Sequence, residues 1–212
     1  MKRPGMVGTA IVLLAALAWA AAGASTARQA VDRELTLRSV PRYRKVAEFL
    51  HRHREYARLA REVTWGAPSD RARAEALFAW TRRRVRPTPP GWPVIDNHIL
   101  NVIERGHGAA YQRADVLATL LTYAGVTAFW EWTTPPGGPH APLVFALVEG
   151  RWAVFNVVNG TAFRHGRGEL RDARAVAPAV GLPPSRPLRA ELQMPWPRLR
   201  HEAWCIVGGA RL

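Results

Sequence analysis

The hydrophobic period of this chain changes at Gly125. Upstream, apolar residues recur at three- and four-residue steps, the spacing of a helix face. Downstream, "VTAFWEW" (126–132), "PLVFALVE" (142–149) and "RWAVFNVV" (151–158) are β-rich runs. Helices first and strands second predict an α+β fold, with N-terminal helices packed on an antiparallel β-sheet, rather than alternating βαβ units. The 212 residues suffice for one domain of ordinary size.

The helical half divides at its punctuation. Pro41 suits the first position of a helix, in which Val46, Phe49, Leu50, His53, Tyr56, Ala60 and Val63 form the inward stripe. Arg44, Arg52, Arg58 and Arg61 occupy its other face. Gly66-Ala67-Pro68 breaks this helix, and Ser69 or Asp70 caps the next, with Ala74, Leu77, Phe78, Thr81 and Val85 inward. Pro87, Pro89 and Pro90 end that one, and Gly91-Trp92-Pro93 is a loop. Asp96 is placed to cap a short helix with Ile99, Val102 and Ile103 inward, stopped by Gly106. A last helix buries Ala114, Leu117, Leu120, Leu121 and Ala124 and closes at Gly125.

In the strand half, Val148-Glu149-Gly150 reads as a three-residue hairpin loop with Gly150 in the left-handed position. Residues 147 and 151 then pair, as do 142 and 156. In this register His140 and Asn156 project from one face; a two-residue loop would separate them.

Lys2 and Arg3 precede an uncharged stretch from Met6 to Ala24 that ends in Ala22-Gly23-Ala24 and is followed by Ser25. This describes a secretory signal peptide, and the same length would also serve as an N-terminal membrane anchor. Either reading exports the domain, to the periplasm or beyond; as an anchor, residues 6–24 would hold it in the inner membrane. A lone cysteine, Cys205, permits no internal disulfide. The formal charge is +14, and +12 without the leader, carried by 28 Arg against 2 Lys. Such a surface attracts anionic polymers or headgroups, or is simply a solvated basic face. The Arg clusters lack interleaved aromatics, which argues against a nucleic-acid groove. The expected organisation is a leader or anchor (1–24), an N-terminal helical extension (25–69), a core (70–165) and a Pro-rich segment packed on it (166–212).

Three features have the plan of a thiol acyl-transfer site: a glycine turn feeding a helix N-terminus at 108–111, a histidine at a strand start, and an asparagine ending the next strand. Helix N-termini favour thiolates and oxyanions, a histidine takes the proton, and an amide or carboxylate orients its ring. The stretches "ALFAWTRRRV", "DNHILNVIERGHGAAYQRADVLATLLTYAGV", "PHAPLVFALVEGRWAVFN" and "LQMPWPRL" resemble the transglutaminase-like (papain-like cysteine protease) superfamily, in its bacterial exported branch. That family opens the helix with a pattern like G-x-G-x-C-x-Q and ends the second strand in aspartate. Gly106, Gly108 and Gln112 match; His140 falls at the catalytic histidine and Asn156 at the aspartate, and Ala110 replaces the cysteine.

The resemblance thus implies a papain-like core with vestigial triad positions Ala110, His140 and Asn156, and a pseudoenzyme rather than an enzyme. Trp92, Asn97, His107, Tyr111 and Gln112 are candidate binding residues around the cleft. A peptide, a cell-wall or surface-polysaccharide-related polymer or an envelope protein is the expected partner. Two other readings stand beside it: a hydrolase or acyltransferase working through His140 or Cys205, and a basic surface-interaction protein. Neither cofactor nor metal is implied, since His51 and His53 diverge on a helix and lack a third ligand.

Overall fold

The computed structural model describes residues 5–134 and 140–162. Its elements are α1 (Gly5–Ala22), β1 (Ala24–Val31), β2 (Glu34–Pro41), α2 (Arg42–Val63), α3 (Asp70–Arg84), β3 (Arg86–Pro87) and β4 (Ile95–Asp96). They continue as α4 (Ile99–Arg105), β5 (His107–Gly108), α5 (Ala110–Tyr123), β6 (Ala128–Thr133), β7 (Ala141–Val148), β8 (Arg151–Asn156) and β9 (Thr161–Ala162). The Pro-rich segment expected at 166–212, with Cys205, lies outside the described residues.

Helices precede an antiparallel sheet of order β6-β7-β8-β9, the α+β layout expected from the change of period. One face of that sheet carries Val144, Ala146, Val148, Ala153 and Phe155 into the core against α5. The α3 stripe is buried as its spacing predicts: Ala74, Leu77, Phe78, Thr81 and the C-cap Val85. Ser69 caps α3, its hydroxyl accepting from the Ala72 N–H at 3.2 Å. Helix α5 goes beyond amphipathic, with Gln112, Arg113, Val116, Ala118 and Thr119 buried besides the expected leucines. It packs against the sheet, α2, α3 and α4 at once, which is why small Ala and Thr occupy its tight sides. Each fully buried leucine there (Leu117, Leu120, Leu121) contributes about 1.5–3 kcal/mol of transfer free energy.

Four expectations change. First, the β7–β8 hairpin pairs Val148 with Arg151, Ala146 with Ala153 and Val144 with Phe155. The loop is therefore the two residues Glu149 and Gly150, at φ 51 and 76. Such a turn matches the right-handed twist of the flanking strands, and the register sets Phe155 against Phe78. His140 and Asn156 fall on opposite faces as a result.

Second, the N-terminal extension is not helical before Arg42. Residues 24–41 form a β-hairpin, paired from Ala24–Pro41 to Val31–Glu34, and β1 also pairs with β4. Its turn residues Asp32 and Arg33 sit at φ 48 and 74. The strands alternate poorly in sequence because their faces are largely exposed. Pro41 accordingly ends β2 and is the N-cap of α2 rather than its first residue.

Third, Asp96 does not cap α4; it sits in β4 opposite Ala30, and His98 holds the N-cap. Gly106, at φ 75, does stop α4. Fourth, Arg52 is buried while Leu50 and His53 are exposed, the reverse of the expected faces, and the Arg52 charge acts on His98 at the α4 N-cap.

Candidate functional site

The entrance to α5 is built from three short elements. The parallel pair β3–β5 brackets the glycine turn, with the Arg86 N–H donating to the Gly106 carbonyl and Thr88 to that of Gly108. Gly108 is sterically required: a Cβ there would sit 2.9 Å from Val102 Cγ1 and 3.2 Å from Gln112 Oε1. Ala109 is extended at the N-cap and Ala110 opens the helix, half-buried. Unpaired N–H groups and the positive end of the dipole lie at this position in any helix.

Gln112 is buried and holds the turn together. Its Oε1 accepts from the Ala109 N–H (3.0 Å) and from Arg105 Nη2 (3.2 Å), and its Nε2 donates to the Ile95 carbonyl (2.7 Å). This is the glutamine half of a capping box, since Ala109 has no acceptor to return the bond. Arg105, which sequence reasoning missed, organises the same place. Its guanidinium also donates to the carbonyls of His107 (3.0 Å) and Ile95 (2.8 Å) and reaches Asn97 Oδ1 at 3.4 Å. Burial pulls the Arg105 guanidinium below its ordinary pKa, while Tyr111 and Asp96 act in the opposite sense. The signal for it was a basic residue in the last turn of α4, directly before the Gly106 stop.

Trp92 is exposed and meets the His107 ring edge-on at 5.3 Å. On the sheet side, the Tyr111 ring lies 6.4 Å from Trp130 and 6.5 Å from Trp132. Burial and the Asp96 charge push the Tyr111 phenol above its ordinary pKa, against Arg105 and Arg33. Trp130 is fixed by donating Nε1–H to Asp115 Oδ1 at 3.0 Å.

His140 stacks on Trp132 at 4.8 Å with rings 7° apart. Trp132 pairs with Pro142, so His140 belongs to the sheet face that carries Trp130 and Val144 toward α5. Its Nδ1 is hydrogen-bonded to the Thr134 hydroxyl at 2.7 Å. Asn156 is elsewhere: it lies on the face of Val154, and its Oδ1 accepts from the N–H groups of Val158 (3.0 Å) and Asn159 (3.1 Å). It caps the β8–β9 turn, and Thr134 is the group that orients His140.

The structure therefore brings Asn97, His107 and Gln112 together through Arg105, links Tyr111 to His140 through Trp132, and sets Asn156 apart. The hairpin tip also reaches this region. Asp32 and Val94 exchange two hydrogen bonds, at 2.9 and 2.7 Å, next to Ile95, whose carbonyl anchors both Arg105 and Gln112. No periodicity could announce that tie, because it joins residues more than sixty positions apart.

No family model matches the chain, and no curated protein matches it. Among solved structures it is similar to a "Putative Cysteine Protease from Cytophaga hutchinsonii", at 15% identity and TM-score 0.44, over 59% of this chain and 45% of that one. It is also similar to a transglutaminase (a "TGase"), at 12% identity and TM-score 0.40, over 82% of this chain and 52% of that one. The chain thus aligns with about half the length of each.

Proposed function

We propose that this chain is an exported transglutaminase-like domain that has lost acyl-transfer chemistry at Ala110 and keeps the α5 entrance as a binding site. The bound partner is a peptide or an envelope polymer. The observation that carries this reading is Ala110 itself, a methyl group at the opening of a helix whose surrounding frame is intact. Gly108 cannot take a side chain without displacing its neighbours, and Gln112 and Arg105 hold the turn with five side-chain hydrogen bonds to Ala109, Ile95, His107 and each other. The aromatic wall of Tyr111, Trp130, Trp132 and His140 supplies contact area for a ligand.

The test restores the thiol. In a Cys205→Ser background, Ala110→Cys is alkylated with iodoacetamide across pH, with and without His140→Ala. The expected thiol titrates below the ordinary value of about 8.5, and His140→Ala weakens that depression. An ordinary thiol indifferent to His140 would overturn the reading. Trp132→Ala is expected to abolish the tryptophan-fluorescence response to peptidoglycan fragments or to gelatin peptides. The rival hydrolase reading rests on the His140–Thr134 pair; ester hydrolysis by the unmodified protein that vanishes in His140→Ala would establish it instead.

A further inference from the structure

The N-terminal hairpin has two unlike faces. Val40 and Ser25 pair and turn toward α2, Ser25 being buried and Val40 half-buried. The alternate residues of β2, Leu35 and Leu37, turn the other way and are 59% and 58% exposed. Arg28 pairs with Leu37, Ala30 with Leu35 and Thr26 with Ser39, so the outward face sets two leucines and a half-buried alanine beside one guanidinium and two hydroxyl side chains. Leu35 and Leu37 together leave apolar surface of one face of the ribbon in contact with water.

Three neighbouring observations point to one kind of partner for this face. The hairpin follows directly on α1, whose Ile11, Val12, Leu13, Leu14 and Leu17 are all more than half exposed. Aromatic side chains stand where helix and hairpin meet: Trp19 lies under the Arg42 guanidinium at 4.8 Å, and Tyr43 is 59% exposed. Trp and Tyr favour the depth of lipid headgroups, and Arg keeps its charge at the water side of them. Residues 24–45, finally, hold six basic side chains against the acidic pair Asp32 and Glu34. Among the described residues no helix is long and apolar enough to cross a membrane. Apolar and cationic groups side by side make a seat for a lipid surface.

We propose that the outward face of the β1–β2 hairpin, with Tyr43 and the end of α1, docks on an anionic lipid bilayer. Leu35 and Leu37 enter the headgroup boundary, and Arg28 and Arg42 meet the lipid phosphates. The proposal is independent of the reading of the α5 entrance.

The full chain carrying Cys205→Ser and Leu37→Cys, labelled with an environment-sensitive fluorophore, tests it. Vesicles containing phosphatidylglycerol are expected to shift the emission to the blue and raise it severalfold. Pure phosphatidylcholine vesicles give a much smaller response, and high salt reverses the anionic one. A probe at Arg61→Cys, on an exposed part of α2 distant from the hairpin, stays unchanged. Arg28→Glu with Arg42→Glu lowers vesicle affinity roughly tenfold or more. Vesicle binding without any change at the Leu37 probe would show that α1 alone attaches and would overturn the proposal. So would an equal, salt-independent response on phosphatidylcholine. A probe shift that rises with protein concentration without lipid would assign the face to a second copy of the chain instead.

Discussion

Two hairpins in this molecule have the same turn and opposite fates. Both β1–β2 and β7–β8 are closed by two residues at positive φ, Asp32-Arg33 in one and Glu149-Gly150 in the other. In β7 nearly every residue is buried, whereas in β2 all but Val40 are exposed. Turn geometry therefore sets how a ribbon folds back, and what lies against its faces sets how much it stabilises. The β7–β8 ribbon has α5 on one side, and on the other its own Phe145 and Trp152 meet Phe129 of β6. The β1–β2 ribbon has α2 on one side, and on the other Leu35 and Leu37 stay more than half exposed.

The largest expected consequence lies in the covered ribbon. Phe155→Ala removes a fully buried ring that meets Phe78 at 5.2 Å, and should cost about 3–5 kcal/mol in urea denaturation. A loss below 1 kcal/mol would mean that β8 is not core, and the contrast would fail. Gln112→Ala comes next, at about 1–3 kcal/mol, because it leaves the Ala109 N–H without its partner and strips one bond from the Ile95 carbonyl. Its hydrogen-exchange signature should include the hairpin tip at Asp32, which is tied to the same loop through Val94; exchange confined to α5 would deny that tie.

Smaller effects sharpen the comparison of the turns themselves. Glu149→Gly relieves a left-handed backbone in a ribbon that belongs to the core, and thermal denaturation should show a gain of roughly 0.5–1 kcal/mol. Arg33→Gly relieves the same conformation in the exposed ribbon, so only local amide exchange should slow. Leu37→Ala, in water without lipid, should change global stability by less than about 0.5 kcal/mol. A larger loss would place a hidden partner on that face.

The comparison also explains what could be read beforehand. The stripes of α3 and α5 were legible because each helix buries a continuous face, so Ala74, Leu77 and Phe78, or Leu117, Leu120 and Leu121, recur at helical steps. The β1–β2 segment left no such trace, since Leu35 and Leu37 alternate with side chains that are just as exposed. At the site, Ala110, Gly106 and Gly108 were visible as a turn into a helix. Arg105 and Thr134 were not, because their roles depend on loops brought together from distant parts of the chain. Gln112 is buried and bonded to Ala109, Arg105 and Ile95, a role in the turn that only its partners reveal.

By itself the sequence determined the order of helices and strands, the buried faces of α3 and α5, and the alanine that opens α5. Those properties are local: period, punctuation and residue type act within a few turns of chain. The tertiary structure alone decided that His140 faces the helix side with Thr134 while Asn156 caps a turn on the opposite face. That outcome hangs on a single residue of hairpin register, and a one-residue step in an antiparallel pair turns every side chain to the other side of the sheet.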